Sequence, residues 1–89
     1  MNKSIKKQSI TRLRLVLGQV RGIEKMVERG KYCIDILHQS MAAKAALSSF
    51  EDFILKNHLS THVVEQMRSR NPKRAVREIQ SIYRLSKRK

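Results

Sequence analysis

The sequence predicts an all-α fold of three helices with a long central helix, assembled at least as an antiparallel dimer. The 89 residues include one Pro and three Gly, too few for the many turns of a sandwich or barrel. Apolar residues recur at a spacing of three or four, which is the period of one helix face. Residues 31–70 contain neither Gly nor Pro, so nothing in the sequence interrupts a long helix there.

The first helix is predicted from about residue 9 to residue 29, where Gly30 supplies a C-terminal stop. Its apolar face comprises Leu13, Val16, Leu17, Val20, Ile23 and Val27. Residues 1–8 are predicted to form a flexible basic arm, which leaves residues 9–89 as a single helical domain.

The central helix, expected over residues 31–70, would extend ~60 Å at the α-helical rise. A chain of 89 residues is too short to cover the apolar face of such a helix, so a second chain must do so. Asn71 is predicted to cap the third helix and Pro72 to be its first residue. This short helix is expected to turn its apolar side chains inward: Val76, Ile79, Ile82 and Tyr83.

The formal net charge of +13 is concentrated at the two ends of the chain. Residues 1–23 contain six Lys or Arg and no acid, and residues 68–89 contain nine Lys or Arg and one acid. Basic ends around a balanced middle indicate a polyanionic partner. Nucleic acid is the first candidate, and an anionic membrane or an RNA–protein particle is the alternative.

Several features predict a soluble cytoplasmic protein without a membrane partner. A single cysteine excludes an internal disulfide and fits a reducing compartment. No apolar run reaches the ~20 residues that a bilayer span requires, and the N-terminus lacks a signal-peptide core.

Two histidines and the one cysteine form a candidate metal site. His58 and His62 are four residues apart, so their imidazoles project from the same helix face. Cys33 maps to that face at ~100° per residue, whereas His38 maps to the opposite one. The same face carries apolar side chains, namely Leu47, Phe50 and Ile54. The alternative interpretation is a pair of ordinary core histidines and a small buried thiol.

Distance makes the candidate site an intersubunit one. Cys33 and His58 are 25 positions apart, which corresponds to ~38 Å along a helix. No metal ion bridges that distance within a chain. In an antiparallel dimer the start of one long helix lies beside the end of the other. Cys33 of one subunit then meets His58 and His62 of its partner, which gives two equivalent sites.

Several motifs, in order along the chain, resemble the CsoR/RcnR/FrmR family of repressors. They are Arg12-Leu13-Arg14, then Gly18-Gln19-Val20-Arg21-Gly22-Ile23, then residues 32–39 (YCIDILHQ), then Asn57-His58-Leu59. The resemblance runs from about residue 8 to residue 85. It implies a tetramer of two dimers without a helix-turn-helix. Such a tetramer would cover double-stranded operator DNA and repress an export or detoxification gene until its effector binds.

The resemblance also implies roles for single residues. Cys33, His58 and His62 correspond to metal ligands, and His62 stands where copper sensors commonly have Cys and nickel/cobalt sensors have His. Tyr32 and Glu78 match residues that orient the ligands in the copper sensors. The predicted DNA-binding residues are Arg12, Arg14 and Arg21, together with Lys6 and Lys7.

Cu(I) is the predicted effector. One thiolate and two imidazoles suit a trigonal Cu(I) site, with its preference for soft sulfur, whereas Zn(II) usually takes a fourth ligand. The nickel/cobalt sensors of the family add an N-terminal histidine and the formaldehyde sensors an N-terminal proline, and this sequence has neither. Ni(II), Co(II), Zn(II) and formaldehyde are the alternative effectors.

Two other classes of protein explain the sequence less well. An enzyme is not expected, because no acid supports the cysteine and histidines and no loop-rich pocket is indicated. A structural nucleoid-type DNA-binding protein accounts for the charge. It does not account for three metal-binding side chains on one helix face.

Overall fold

The computed structural model describes residues 1–87, and these residues contain helices and no strand. The elements are α1 (Lys3–Glu28), α2 (Cys33–His58), a π-helical turn (Leu59–Val63), α3 (Val64–Arg68) and α4 (Lys73–Ser86). Because α2, the π turn and α3 follow one another without a gap, they form one long central helix. The prediction of an all-α fold with three helices is confirmed. The π turn within the central helix was not predicted.

The chain forms two compact units, Met1–Leu55 and Lys56–Lys89. The first unit holds α1 and most of α2, and the second holds the end of α2, the π turn, α3 and α4. The single domain over residues 9–89 stays a prediction.

The first helix begins six residues earlier than predicted, so the segment predicted as a flexible arm is mostly helical. Asn2 is the N-cap of α1, and its Oδ1 accepts a hydrogen bond from the Ile5 N–H at 2.8 Å. This bond satisfies one of the N–H groups that a helix N-terminus leaves without an intrahelical partner. Residues 3–8 therefore belong to α1, and their lysines occupy fixed positions on its surface.

The C-terminus of α1 is closed by Gly30, as predicted. Gly30 has a φ of 62°, in the left-handed region. The Lys31 N–H donates to the Met26 carbonyl at 2.9 Å, and the Gly30 N–H donates to the Val27 carbonyl at 3.0 Å. This pair of bonds is the Schellman arrangement, which favours glycine because a Cβ is strained at positive φ.

The substitution Gly30→Ala is expected to lower the free energy of unfolding by about 1–2 kcal/mol, because of that strain. Thermal unfolding followed by circular dichroism measures the change at one fixed protein concentration, since self-association makes Tm concentration-dependent. Gly30→Asn is the control and should lose less stability, because Asn tolerates the left-handed region. Equal stability of Gly30→Ala and the wild type would contradict this account of the turn.

Helix α4, which is the third helix of the prediction, begins one residue later than predicted. Pro72, predicted as the first helical residue, is the N-cap of α4, and no side chain caps this end. Asn71, predicted as the cap, instead donates its N–H to the Ser69 Oγ at 3.3 Å. Ser69 in turn donates its hydroxyl to the Gln66 carbonyl at 2.6 Å, so a serine closes α3 at this turn.

A single chain buries very little apolar surface. Among residues 1–87 the buried apolar residues are Ala43 and Ala75. The side chains of α4 that were predicted to point inward are exposed in the single chain: Val76, Ile79, Ile82 and Tyr83. Five large apolar side chains of α1 are exposed as well, at the spacing of three, four or seven residues that places them on one helix face. This α1 apolar stripe comprises Ile10, Leu13, Leu17, Val20 and Val27.

No helix in the described range is long and apolar enough to cross a membrane.

Candidate metal centre and nucleic-acid interface

The two candidate histidine ligands lie side by side at the junction between α2 and the π turn. His58 is the last residue of α2, and His62 is within the π turn. Their ring centroids are 5.3 Å apart, with the ring planes at 78° to each other. A metal bonded to two imidazole nitrogens at ~2.0 Å keeps those nitrogens within ~4 Å, as in zinc sites. This separation of the rings is compatible with one shared metal ion.

Glu78, on α4, lies between His58 and Arg74. Its Oε2 is 3.8 Å from Nε2 of His58, and its Oε1 accepts a hydrogen bond from Nε of Arg74 at 2.8 Å. The contact to His58 is too long for a hydrogen bond. The carboxylate therefore faces the Nε2 side of the ring without a hydrogen bond that would fix the tautomer of His58.

Hydroxyl groups contact the backbone where α2 gives way to the π turn. The Thr61 Oγ1 donates to the Asn57 carbonyl at 2.7 Å. The Ser60 Oγ lies 3.0 Å from the Lys56 carbonyl and 3.2 Å from the Asn57 carbonyl. The adjacent Ser and Thr are the sequence signal for this turn, because their hydroxyls compete with the helical hydrogen-bond ladder.

The remaining candidate ligand lies at the other end of α2. Cys33 is the first residue of this helix, and its thiol is free and exposed. Tyr32, predicted to orient the ligands, precedes it and is 67% exposed. Since α2 has 26 residues, its two ends are ~38 Å apart. Among residues 1–87 of one chain, no three His, Cys, Asp or Glu side chains are grouped so that they could hold a metal ion.

The structure aligns the cations of the first helix. At ~100° per residue, five of them fall within ~40° of one another, and all five are exposed. This α1 basic face comprises Lys3, Lys7, Arg14, Arg21 and Lys25. Near its N-terminal end lies a shallow groove of about 330 Å³, lined by Lys3, Lys6, Lys7, Ile10, Thr11 and Arg14. Four of the predicted DNA-binding residues are therefore on or beside this face.

Arg12 lies on another side of α1. Its Cζ is 4.4 Å from the ring centroid of Phe53, and its Nη1 donates to the Ser49 Oγ at 3.3 Å. A guanidinium over an aromatic face gains a cation–π interaction, which here joins α1 to α2. Arg12 is therefore not part of the α1 basic face, and its role in DNA contact stays a prediction.

Comparison with known proteins places the chain in a family. Residues 5–85 match the model of the metal-sensitive transcriptional repressors. The chain belongs to this family. Its members are transcriptional repressors, which confirms the prediction that the chain is not an enzyme.

The relatives of this repressor include named copper sensors. It is 35% identical over 79 residues to the copper-sensing transcriptional repressor CsoR of Bacillus subtilis, covering 89% of this chain and 78% of that protein. It is 48% identical over 61 residues to the copper-sensing transcriptional repressor RicR of Mycobacterium tuberculosis, covering 68% of this chain and 64% of RicR. The predicted resemblance to CsoR-type repressors is confirmed.

The fold of this repressor is similar to that of a solved relative. The crystal structure of the copper-sensing repressor CsoR with Cu(I) from Geobacillus thermodenitrificans matches it with a TM-score of 0.93 and 33% sequence identity. The match covers 99% of this chain and 92% of that one. The roles assigned to Cys33, His58, His62, Tyr32 and Glu78 stay predictions.

Proposed function

We propose that this protein is a copper-responsive transcriptional repressor. Metal-free protein binds operator DNA in the cytoplasm and releases it when Cu(I) binds Cys33 of one subunit and His58 and His62 of another. One observation carries the proposal: two adjacent imidazoles lie at one end of α2, and the single thiol of the chain lies at the other. Only a second, antiparallel chain brings these groups to one metal ion.

Self-association is supported by the exposed apolar surface. The α1 apolar stripe is accompanied by exposed Ile79 and Ile82 on α4. A soluble monomer rarely leaves an apolar stripe such as that of α1 in water, because burial of apolar surface contributes ~25 cal/mol per Å². A second copy of the chain is the partner that an intersubunit site requires, and a tetramer of two dimers would cover more of the remaining surface.

The protein is expected to sediment as a tetramer at micromolar concentration. Leu17→Glu, which puts a charge into the α1 apolar stripe, should shift it toward smaller species, because a buried charge without a partner is costly. Leu15→Glu is the matched control and should leave the assembly intact, since Leu15 is 66% exposed and lies on the opposite side of α1. A folded wild-type monomer in sedimentation velocity would exclude both the assembly and the shared site.

The donor set supports Cu(I) as the effector. A thiolate with two imidazoles supplies three ligands, including the soft sulfur that Cu(I) prefers. In this proposal the carboxylate of Glu78, 3.8 Å from Nε2 of His58, would orient the imidazole. The relatives named as copper sensors point to the same effector. Ni(II), Co(II) and Zn(II) are the competing ions, and formaldehyde is the competing effector that is not a metal.

The α1 basic face supports DNA as the partner. Lys3 and Lys25 are 22 residues apart, so the face extends ~33 Å along the helix. This is close to one turn of duplex DNA, which is ~34 Å. Cations at these positions can neutralise phosphates over that length, and phosphate contacts fix the position of a protein on DNA without reading its sequence.

One titration tests the proposal directly. Binding of the intact protein to labelled operator DNA is measured without metal and with stoichiometric Cu(I), Ni(II), Co(II) or Zn(II). Specific binding to operator DNA, with release of the DNA by Cu(I) and by none of the other three ions, would support the proposed function. Release by nickel with weak Cu(I) binding would reassign the effector. A structural nucleoid-type protein would bind any sequence and ignore every metal.

A further inference from the structure

The π turn separates the two histidines of the candidate metal centre. His58 precedes this turn and His62 is part of it. A π turn connects each N–H to the carbonyl five residues back instead of four, and such turns occur frequently at functional sites. The wider turn lowers the rotation per residue. The angular position of His62 about the helix axis therefore differs from its position in an unbroken α-helix.

We propose that Ser60 and Thr61 are positioning residues of the metal centre. Their hydroxyls stabilise the π turn, and the π turn sets the arrangement of the His58 and His62 rings. This inference rests on the proposed function, because it assumes that both histidines bind the effector. Neither hydroxyl residue touches the metal in this scheme.

The hydrogen bonds of this segment carry the inference. Ser60 and Thr61 both contact the Asn57 carbonyl, and Ser60 also contacts that of Lys56. These two consecutive carbonyls belong to the last turn of α2, where the helical ladder changes from α to π. Hydroxyls that bond to a carbonyl in the preceding turn compensate for such a change and bend the helix.

A single hydroxyl bond of this type does not by itself produce a π turn. Thr11 donates its Oγ1 to the Lys7 carbonyl at 3.0 Å, also four residues back, within the regular helix α1. The segment after His58 differs because two adjacent hydroxyls bond to consecutive carbonyls. Thr11 therefore provides a matched control with the same residue type and the same bond in another helix.

The geometry of a metal site is sensitive to such a change. Ligands must be held within ~0.5 Å of their productive positions, and residues that support the ligands typically change metal affinity by about 10–100-fold when substituted. Without the π turn, His62 would rotate about the helix axis relative to His58. The two imidazoles would then lose the relative arrangement that they have in this structure.

The test measures Cu(I) affinity of the full-length protein by competition with a Cu(I) chelator. Thr61→Val keeps the shape of the side chain but removes the donor, and it should lower the affinity by about 10-fold. Thr61→Ser restores the donor and should restore the affinity, whereas Thr11→Val should bind Cu(I) like the wild type. If Thr61→Val does not fold, Ser60→Ala replaces it, since it also removes hydroxyl contacts from the π turn.

A second readout separates positioning from general destabilisation. The Co(II) absorption spectrum reports the geometry of the ligand set, and it should change in Thr61→Val but not in Thr11→Val. The inference would be overturned if Thr61→Val bound Cu(I) as tightly as the wild type, or if Thr11→Val lost as much Cu(I) affinity as Thr61→Val. Either result would leave the proposed function standing. If the wild type binds no Cu(I), the proposed function fails together with the inference.

Discussion

Cys33→Ala is expected to bind operator DNA as the metal-free wild type does and to lose the release that Cu(I) causes. The thiolate is the soft ligand of the proposed set, and two imidazoles alone hold Cu(I) more weakly. In the wild type, Cu(I) should weaken DNA binding by about 5–150-fold, the usual range of coupling between two sites. Fluorescence anisotropy of labelled operator DNA, with and without stoichiometric Cu(I), measures both quantities.

His38→Ala is the matched control for this substitution. His38 is on the same helix and is exposed, but sequence periodicity assigns it to the opposite face. This variant should respond to Cu(I) like the wild type.

Linkage adds a reciprocal expectation for the wild type, because DNA must weaken Cu(I) binding by the same factor by which Cu(I) weakens DNA binding. If Cu(I) released operator DNA from Cys33→Ala as it does from the wild type, the sensing site would lie elsewhere.

Mixed subunits test whether the site is shared between chains. Cys33→Ala keeps both histidines, and the double variant His58→Ala/His62→Ala keeps the thiol. Each protein alone should bind Cu(I) weakly. After unfolding and refolding together, a mixed antiparallel dimer contains one complete site and one site without any ligand, because each site takes residues from both chains. Recovery of tight Cu(I) binding in the mixture supports the shared site, and a site within one chain predicts no recovery.

The helices were predictable because apolar spacing and the positions of Gly and Pro determine them locally. Gly30 ends α1, and the uninterrupted run after residue 30 is helical through Arg68 apart from two connecting residues. The N-terminal segment, predicted as a flexible arm, is helical from Lys3, although lysines in a first turn oppose the helix dipole. The Asn2 cap and the half-buried Ile5 side chain favour the helix instead.

The candidate site was predictable in its residue types and only partly in its geometry. A spacing of four brings His58 and His62 together in an α-helix or near one, so the pair could be recognised. The approach of Glu78 depends on how α4 packs, which no local spacing determines. The π turn depends on competition between side-chain and backbone hydrogen bonds. The adjacent Ser60 and Thr61 indicate such competition but do not determine its result.

Reversing the charge on the α1 basic face should weaken DNA binding without weakening metal binding. Arg14→Glu and Arg21→Glu each remove one predicted phosphate contact per subunit and add a repulsive charge. The logarithm of the binding constant should fall linearly with the logarithm of salt concentration, with a slope of ~0.9 per phosphate contact. Each variant should therefore show lower affinity at low salt and a shallower slope, as measured by anisotropy over a salt series.

Two further substitutions show whether the effect belongs to this face. Arg84→Glu makes the same charge change at an exposed arginine on α4, and it should alter DNA affinity less than Arg14→Glu does. Arg12→Gln should mainly lower Tm, because it removes a cation–π interaction of about 0.5–2 kcal/mol between Arg12 and Phe53. If Arg12→Gln weakens DNA binding more than Arg14→Glu and Arg21→Glu while Tm is unchanged, DNA contacts the Arg12 side of α1. An equal loss in Arg84→Glu would show that net charge, rather than the aligned face, controls the affinity.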